Sequence, residues 1–222
     1  PAHGPLMLGG FLGTLISLER AVGLALRPRS GLSVAEALGA RWLYAAPALS
    51  ALGALLLVAG APVLAAGCWL TASALLVAAQ ASIVRRAPAA FTVVLLLGAA
   101  CWLTGNALWL TGKPLFSAVP WWLGFPILTI VGERLELSRM VAPPAAARAV
   151  FAGAVVVFLT GLILDEVTFA IGSGASGAAL VVLAAWLWRY DLARRTIRLP
   201  GLPRFAAVCL LYAKFAWLLP GL

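Results

Sequence analysis

The chain has 222 residues, 64% of them hydrophobic and only 10% charged, with a mean hydropathy of +1.05. A soluble domain carries roughly a quarter charged residues, so this composition excludes a water-soluble globular protein and makes lipid the main solvent. The net charge of +9 sits in short loops between apolar runs and not along one face, which excludes nucleic acid as the partner.

Period-two alternation is absent, so a transmembrane β-barrel is excluded as well. The expected fold is all-α, a polytopic transmembrane helical bundle of about eight helices in a single transmembrane domain over 1–222. Apolar runs of about 17 to 25 residues match a hydrocarbon core of roughly 30 Å. They are predicted near 5–26, 42–59, 63–84, 91–111, 116–132, 146–164, 167–188 and 205–220. The first residue is Pro1 and no charged leader precedes the first span, so upstream sequence is expected to be missing.

The first span opens with His3, the only histidine, and Met7, and it closes on Glu19 and Arg20. Between them Gly9, Gly13, Ser17, Ala21 and Ala25 recur every four residues. Small residues at that spacing line one helix face and let a neighbouring backbone approach closely. The face is read as a packing seam, with close approach of a flat cofactor as the alternative.

Gly60-Ala61-Pro62 joins the second and third spans as a tight turn, which makes them antiparallel neighbours. The fourth span carries Asn106 one to two turns from its outer end. The fifth is short and contains Pro126, predicting a kink or a partial unwinding. It leads to Glu133-Arg134-Leu135-Glu136, and Lys214 lies inside the last span. Cys68, Cys101 and Cys209 all fall in apolar runs without metal-ligand spacing and read as small buried hydrophobes.

Loop charges set the orientation. Arginines 20, 27, 29, 41, 85, 86, 134, 139, 148, 189, 194, 195, 198 and 204 make 14 of the 16 Lys and Arg residues, and all fall on one side. By the positive-inside rule that side is cytoplasmic, which places His3 and the C-terminus outside, in a bacterial inner membrane. Trp42, Trp186 and Trp188 then fall near the cytoplasmic boundary, and Trp109, Trp121, Trp122 and Trp217 near the outer one. All are read as interfacial anchors.

Gly10-Phe11 precedes Glu19-Arg20 by nine residues, as Gly124-Phe125 precedes Glu133-Arg134. A duplicated four-helix unit, with repeats over 1–112 and 113–222, is one reading. Chance likeness in a Leu/Ala/Gly-rich chain is the other.

His3 and Met7 share a helix face if the helix extends back through Pro5. Imidazole and thioether are both ligands of haem iron and of copper(I). If Pro5 instead opens the helix, His3 lies outside it. Glu19, Arg20, Glu133 and Arg134 at helix ends are read as interfacial ion pairs, with proton relay as the alternative. Asn106 and Lys214 should face protein or a water-filled cavity. No P-loop, HExxH or dinucleotide fingerprint occurs.

The pattern of His3, Gly4, Met7, Gly9 and Phe11 resembles NnrS-like membrane proteins, and is similar to a haem-ligating helix of haem-copper oxidases. That resemblance covers about the first 20 residues. It implies a haem- or copper-associated membrane protein linked to nitric oxide stress, with His3 as the ligand that inherits a role. NnrS-like proteins are longer and richer in histidine, so a full site of that kind needs groups from elsewhere. The alternatives are a transporter or permease-like module and a non-catalytic structural membrane subunit. The expected surroundings are the lipid bilayer and either copies of the same chain or a larger membrane complex.

Overall fold

The computed structural model describes residues 3–25 and 40–190, with Phe205 and Val208. Among these the chain is helical and contains no strand. The first helix, α1, is built in three stretches: an α-helical start at His3–Pro5, a π-helical stretch at Leu6–Leu12 and an α-helix at Gly13–Ala25. A 3-10 turn at Ala40–Tyr44 leads into α2 (Ala45–Val58), followed by α3 (Pro62–Arg86) and α4 (Ala90–Leu110). Then come α5 (Leu115–Ser138), a 3-10 turn at Arg139–Val141, α6 (Ala145–Asp165) and α7 (Phe169–Tyr190).

Among the described residues six helices are long and apolar enough to cross a membrane: His3–Leu24, Pro62–Arg86, Ala90–Leu110, Leu115–Val141, Ala145–Asp165 and Phe169–Tyr190. The segment Trp42–Val58, expected as the second span, is a shorter apolar helix. The eighth expected span, 205–220, lies outside the described residues apart from Phe205 and Val208, and Lys214, Cys209 and Trp217 lie outside them too.

Two helix ends show how the sequence stops a span. Gly60 and Gly112 take φ of +81° and +79°, a left-handed conformation that glycine adopts without a Cβ penalty. Around Gly60, the Gly60 N–H donates to Leu57 O and the Ala61 N–H to Leu56 O. Around Gly112, the Gly112 N–H donates to Trp109 O and the Lys113 N–H to Leu108 O. Both are Schellman closures that satisfy the last free carbonyls, and each is followed by a proline (Pro62, Pro114) that cannot continue the helix. The antiparallel turn expected at Gly60-Ala61-Pro62 is therefore present. In contrast, α5 runs as one helix through Pro120 and Pro126, so the partial unwinding expected at Pro126 is absent. A proline in an apolar helix is tolerated where neighbouring groups take up the freed carbonyl.

The chain divides into two compact units, Pro1–Thr129 and Ile130–Leu222, and the boundary falls inside α5. In the first unit α1 packs on α2, α2 on α3 and α3 on α4. Its core is formed by Ile16, Ala72, Leu76, Ala99, Trp102, Ala118, Trp122 and Phe125. The second unit is dominated by the hairpin of α6 and α7. There a Cβ added at Gly161 would stand 2.6 Å from the Ser176 backbone N, so the two backbones meet with no room for a side chain.

Candidate functional site

The glycine face of α1 is a packing seam. Gly9, Gly13, Ser17 and Ala21 are all buried. A flat ring does lie against it, and the ring belongs to the chain. A Cβ on Gly9 would stand 2.6 Å from Trp69 Cε3, and one on Gly53 of α2 would stand 2.5 Å from Trp69 Nε1. The Trp69 indole thus occupies a slot between two glycines on two helices. Gly13 opens the same kind of space for Trp102, and Gly105 for Trp122.

Trp69, Trp109 and Trp122 form one aromatic cluster, and Trp102 pairs with Phe125. Trp69 stacks on Trp109 at 5.3 Å between ring centroids and meets Trp122 edge-on at 6.5 Å, and Trp109 meets Trp122 at 5.7 Å. Trp102 stacks on Phe125 at 4.9 Å. Offset-stacked and edge-to-face pairs of this kind contribute about 0.5–1.5 kcal/mol each beyond area burial. Trp122, expected as an outer anchor, is instead 1% exposed. Trp186, expected as a cytoplasmic anchor, is 4% exposed, and its Nε1 donates to Ala147 O at 2.7 Å. Indole N–H groups that find partners inside the bundle have no need of the interface. Trp42 remains exposed at 43%, as an anchor should.

A polar network threads this cluster, centred on Asn106, which is fully buried. Asn106 Nδ2 donates to Trp69 O at 3.0 Å and to Ser73 Oγ at 3.1 Å. Its Oδ1 accepts from Trp122 Nε1 at 2.9 Å. The amide orientation follows from these partners, because a flipped amide would aim an oxygen at the Trp69 carbonyl. Trp69 Nε1 in turn donates to Ser50 O at 2.9 Å, and Ser50 Oγ donates to Gly9 O at 2.9 Å while accepting from Thr14 Oγ1 at 3.0 Å. Asn106 on α4 is therefore tied through α3 and α2 to α1.

The network ends in the π-helical stretch of α1, and each feature explains the other. A widened turn loosens its carbonyls from the regular ladder. Gly9 O can then accept from Ser50, and the glycines tolerate the altered backbone. Trp102 behaves differently: its Nε1 is buried and meets no hydrogen-bond partner among the described residues.

The expected site residues are placed as follows. The helix extends back through Pro5 to His3, so His3 and Met7 stand one turn apart. Both side chains are exposed, Met7 at 44%, whereas Gly9 and Gly10 beside them are buried. Asn106 does not meet His3; its network reaches α1 two residues beyond Met7. Glu19 is exposed and Arg20 half-buried at the other end of α1, and Arg20 engages a neighbouring group. Glu133 and Arg134 are half-buried on α5, with Glu133 also engaged. Among the described residues no group of three or more His, Cys, Asp or Glu is arranged to hold a metal ion. Sequence reasoning left out Trp69, Ser50 and Ser73. Their signal was legible, since serines inside apolar spans need partners in lipid.

Compared with known families, residues 1–221 match the model of a domain of unknown function, DUF8744. The chain belongs to the DUF8744 family. No curated protein and no solved structure matches it. For this DUF8744 chain the site must therefore be read from its own residues: a closed, hydrogen-bonded tryptophan core in the first unit, with His3 and Met7 facing away from it.

Proposed function

We propose that this protein is a bacterial inner-membrane protein that holds a haem or a copper ion through His3, with Met7 as a second donor. Its role would lie in handling nitric oxide stress, as for the NnrS-like proteins it resembles. The observation that carries this reading is the helical continuity of α1 through Pro5, which puts an exposed imidazole and an exposed thioether on successive turns. Imidazole and thioether are each donors that would suit haem iron or a copper(I) ion approached from one side of the helix. They do not suit a metal chelated by three or more protein side chains, and no such donor group is found among the described residues. Trp69 and Trp102 fill the glycine face, so the bound group would lie on the opposite, exposed side of α1. When bound through His3, such a metal would supply the position at which a diatomic ligand is held. The chain's part is to hold His3 and Met7 on a helix whose register is fixed through Gly9 and Ser50. The arginine-rich loops favour a cytoplasmic placement of their side, with His3 outside.

A non-catalytic structural subunit is the second reading. It is favoured by the way Asn106, the residue that motivated a transport path, spends its hydrogen bonds inside the tryptophan core. The test is a visible spectrum with metal analysis of the full chain purified in detergent. The proposal expects a Soret band or stoichiometric copper that His3→Ala abolishes or shifts. An empty Soret region without copper would sink it. A signal unchanged in His3→Ala would remove His3 from the site.

A further inference from the structure

We infer that α1 has a second register, α-helical throughout, and that the Ser50 hydroxyl selects the register seen here. In the second register the face shared by His3 and Met7 turns away from its exposed position. The inference rests on the proposed function only for what the turn would control, the donor pair. Ser50 acts on that pair through the backbone and is a positioning residue.

The argument starts from residue count. Over Leu6–Leu12 the helix runs in π turns, which close i→i+5 and hold about one residue more than an α turn. With the following helix Gly13–Ala25 held in place, the extra residue offsets everything before it by one position. At about 3.6 residues per turn that is a rotation of roughly 100°. Closing the stretch into α turns moves each earlier residue into its predecessor's place. Leu8 takes the place of Met7, Met7 that of Leu6, and Gly4 that of His3.

Two observations make the second register available. Gly9 and Gly10 are consecutive and both lie against Trp69. A Cβ on Gly9 would stand 2.6 Å from Trp69 Cε3, and one on Gly10 would stand 3.6 Å from Trp69 Cζ2. An offset of one residue therefore still presents a glycine to the ring. Leu6, Met7 and Leu8 are all apolar, so exchanging their places moves no polar group into lipid.

A third observation selects between the registers. Ser50, fully buried on α2, donates from Oγ to Gly9 O at 2.9 Å and lies 3.4 Å from Gly10 O. Rotating Gly9 carries its carbonyl away from Ser50, so this bond belongs to the π register. Without it the regular α ladder has no competitor, since π turns persist only where something outside the helix holds them.

The experiment labels the methionine methyls of the full chain with 13C, in lipid nanodiscs, and reads their NMR broadening by a nitroxide-bearing lipid. The two methionines, Met7 and Met140, are both exposed. Leu8→Met, a volume-conserving change, adds a probe at the half-buried neighbour that packs on the core. With Ser50 present, Met7 and Met140 are expected to broaden and the methyl at position 8 to broaden less. Ser50→Ala should reverse Met7 and position 8 while Met140 stays as it was. Thr14→Val removes the bond that Ser50 accepts and keeps the one it donates, so it should change neither probe. If Ser50→Ala does not fold, Ser50→Cys, a weaker donor of similar size, should show both patterns side by side. The second register is overturned if neither probe responds to the loss of the hydroxyl. It is overturned equally if both become broadened, which is loosening of α1 and not rotation. No metal enters this measurement, so its failure is distinct from an empty Soret region or missing copper.

Discussion

The two units solve the same problem, holding helices together in lipid, by different means. In hydrocarbon there is no hydrophobic drive between helices, so packing and interhelical hydrogen bonds carry the association. The first unit fills glycine slots with indole rings and ties five helices by a chain of hydrogen bonds from Thr14 to Trp122. The second brings backbones together directly at Gly161 and Gly172. It adds the indole bond from Trp186 to Ala147 and the Phe151–Trp186 ring contact at 4.8 Å. Ring-in-slot packing depends on a side chain that can be trimmed. Backbone-on-backbone packing does not.

The largest expected effects follow from that difference. Gly9→Ala pushes a Cβ into the Trp69 ring, and Gly161→Ala pushes one into the Ser176 backbone N. Each should cost about 3 kcal/mol, at the upper end for overpacking, read by denaturant unfolding in mixed micelles. The double variant Gly9→Ala/Trp69→Leu should recover at least about 1 kcal/mol relative to additivity, whereas Gly161→Ala/Ser176→Ala should recover none. Equal recovery in both pairs would erase the distinction drawn between the units.

Next in size is Asn106→Ala, which strands the Trp122 indole N–H in an apolar core. An orphaned buried donor costs about 1–3 kcal/mol, and adding Trp122→Phe should return part of the loss in the same unfolding assay. In the second unit Trp186→Phe removes a single interhelical bond, and about 0.6 kcal/mol is expected. A loss as large as that of Asn106→Ala would show that the second unit also relies on a network. The smallest effects belong to Gly67→Ala on α3 and Gly153→Ala on α6, where nothing lies within 4 Å of the new Cβ. Both should be neutral or stabilise by up to about 1 kcal/mol, the helix-propensity gain.

Much of this architecture is written locally. Most helix limits among the described residues, the turn at Gly60-Ala61-Pro62 and the small-residue seam from Gly9 to Ala21 could be read from residue order, because a bilayer punishes any break in hydrophobicity or backbone pairing. The exception is α5, which runs on to Ser138, six residues past its expected end. The site was less legible. Asn106 announced itself as a polar residue that needs partners, but the identity of those partners did not follow. Trp122 and Trp186 were read as interfacial because an indole N–H usually seeks water, and inside the bundle they met Asn106 Oδ1 and Ala147 O instead.

By itself the sequence determined a multi-spanning helical chain, the stops at Gly60 and Gly112, and which face of α1 is small. Lipid solvation and helix capping act over a few residues, so they leave their mark in residue order. Only the tertiary structure decided that the glycine face receives tryptophans, that Asn106 is tied to α1 through Trp69 and Ser50, and that His3 and Met7 face outward. Those outcomes depend on which rings and amides meet across helices up to 41 residues apart. Shape fit between distant side chains has no signature in local sequence.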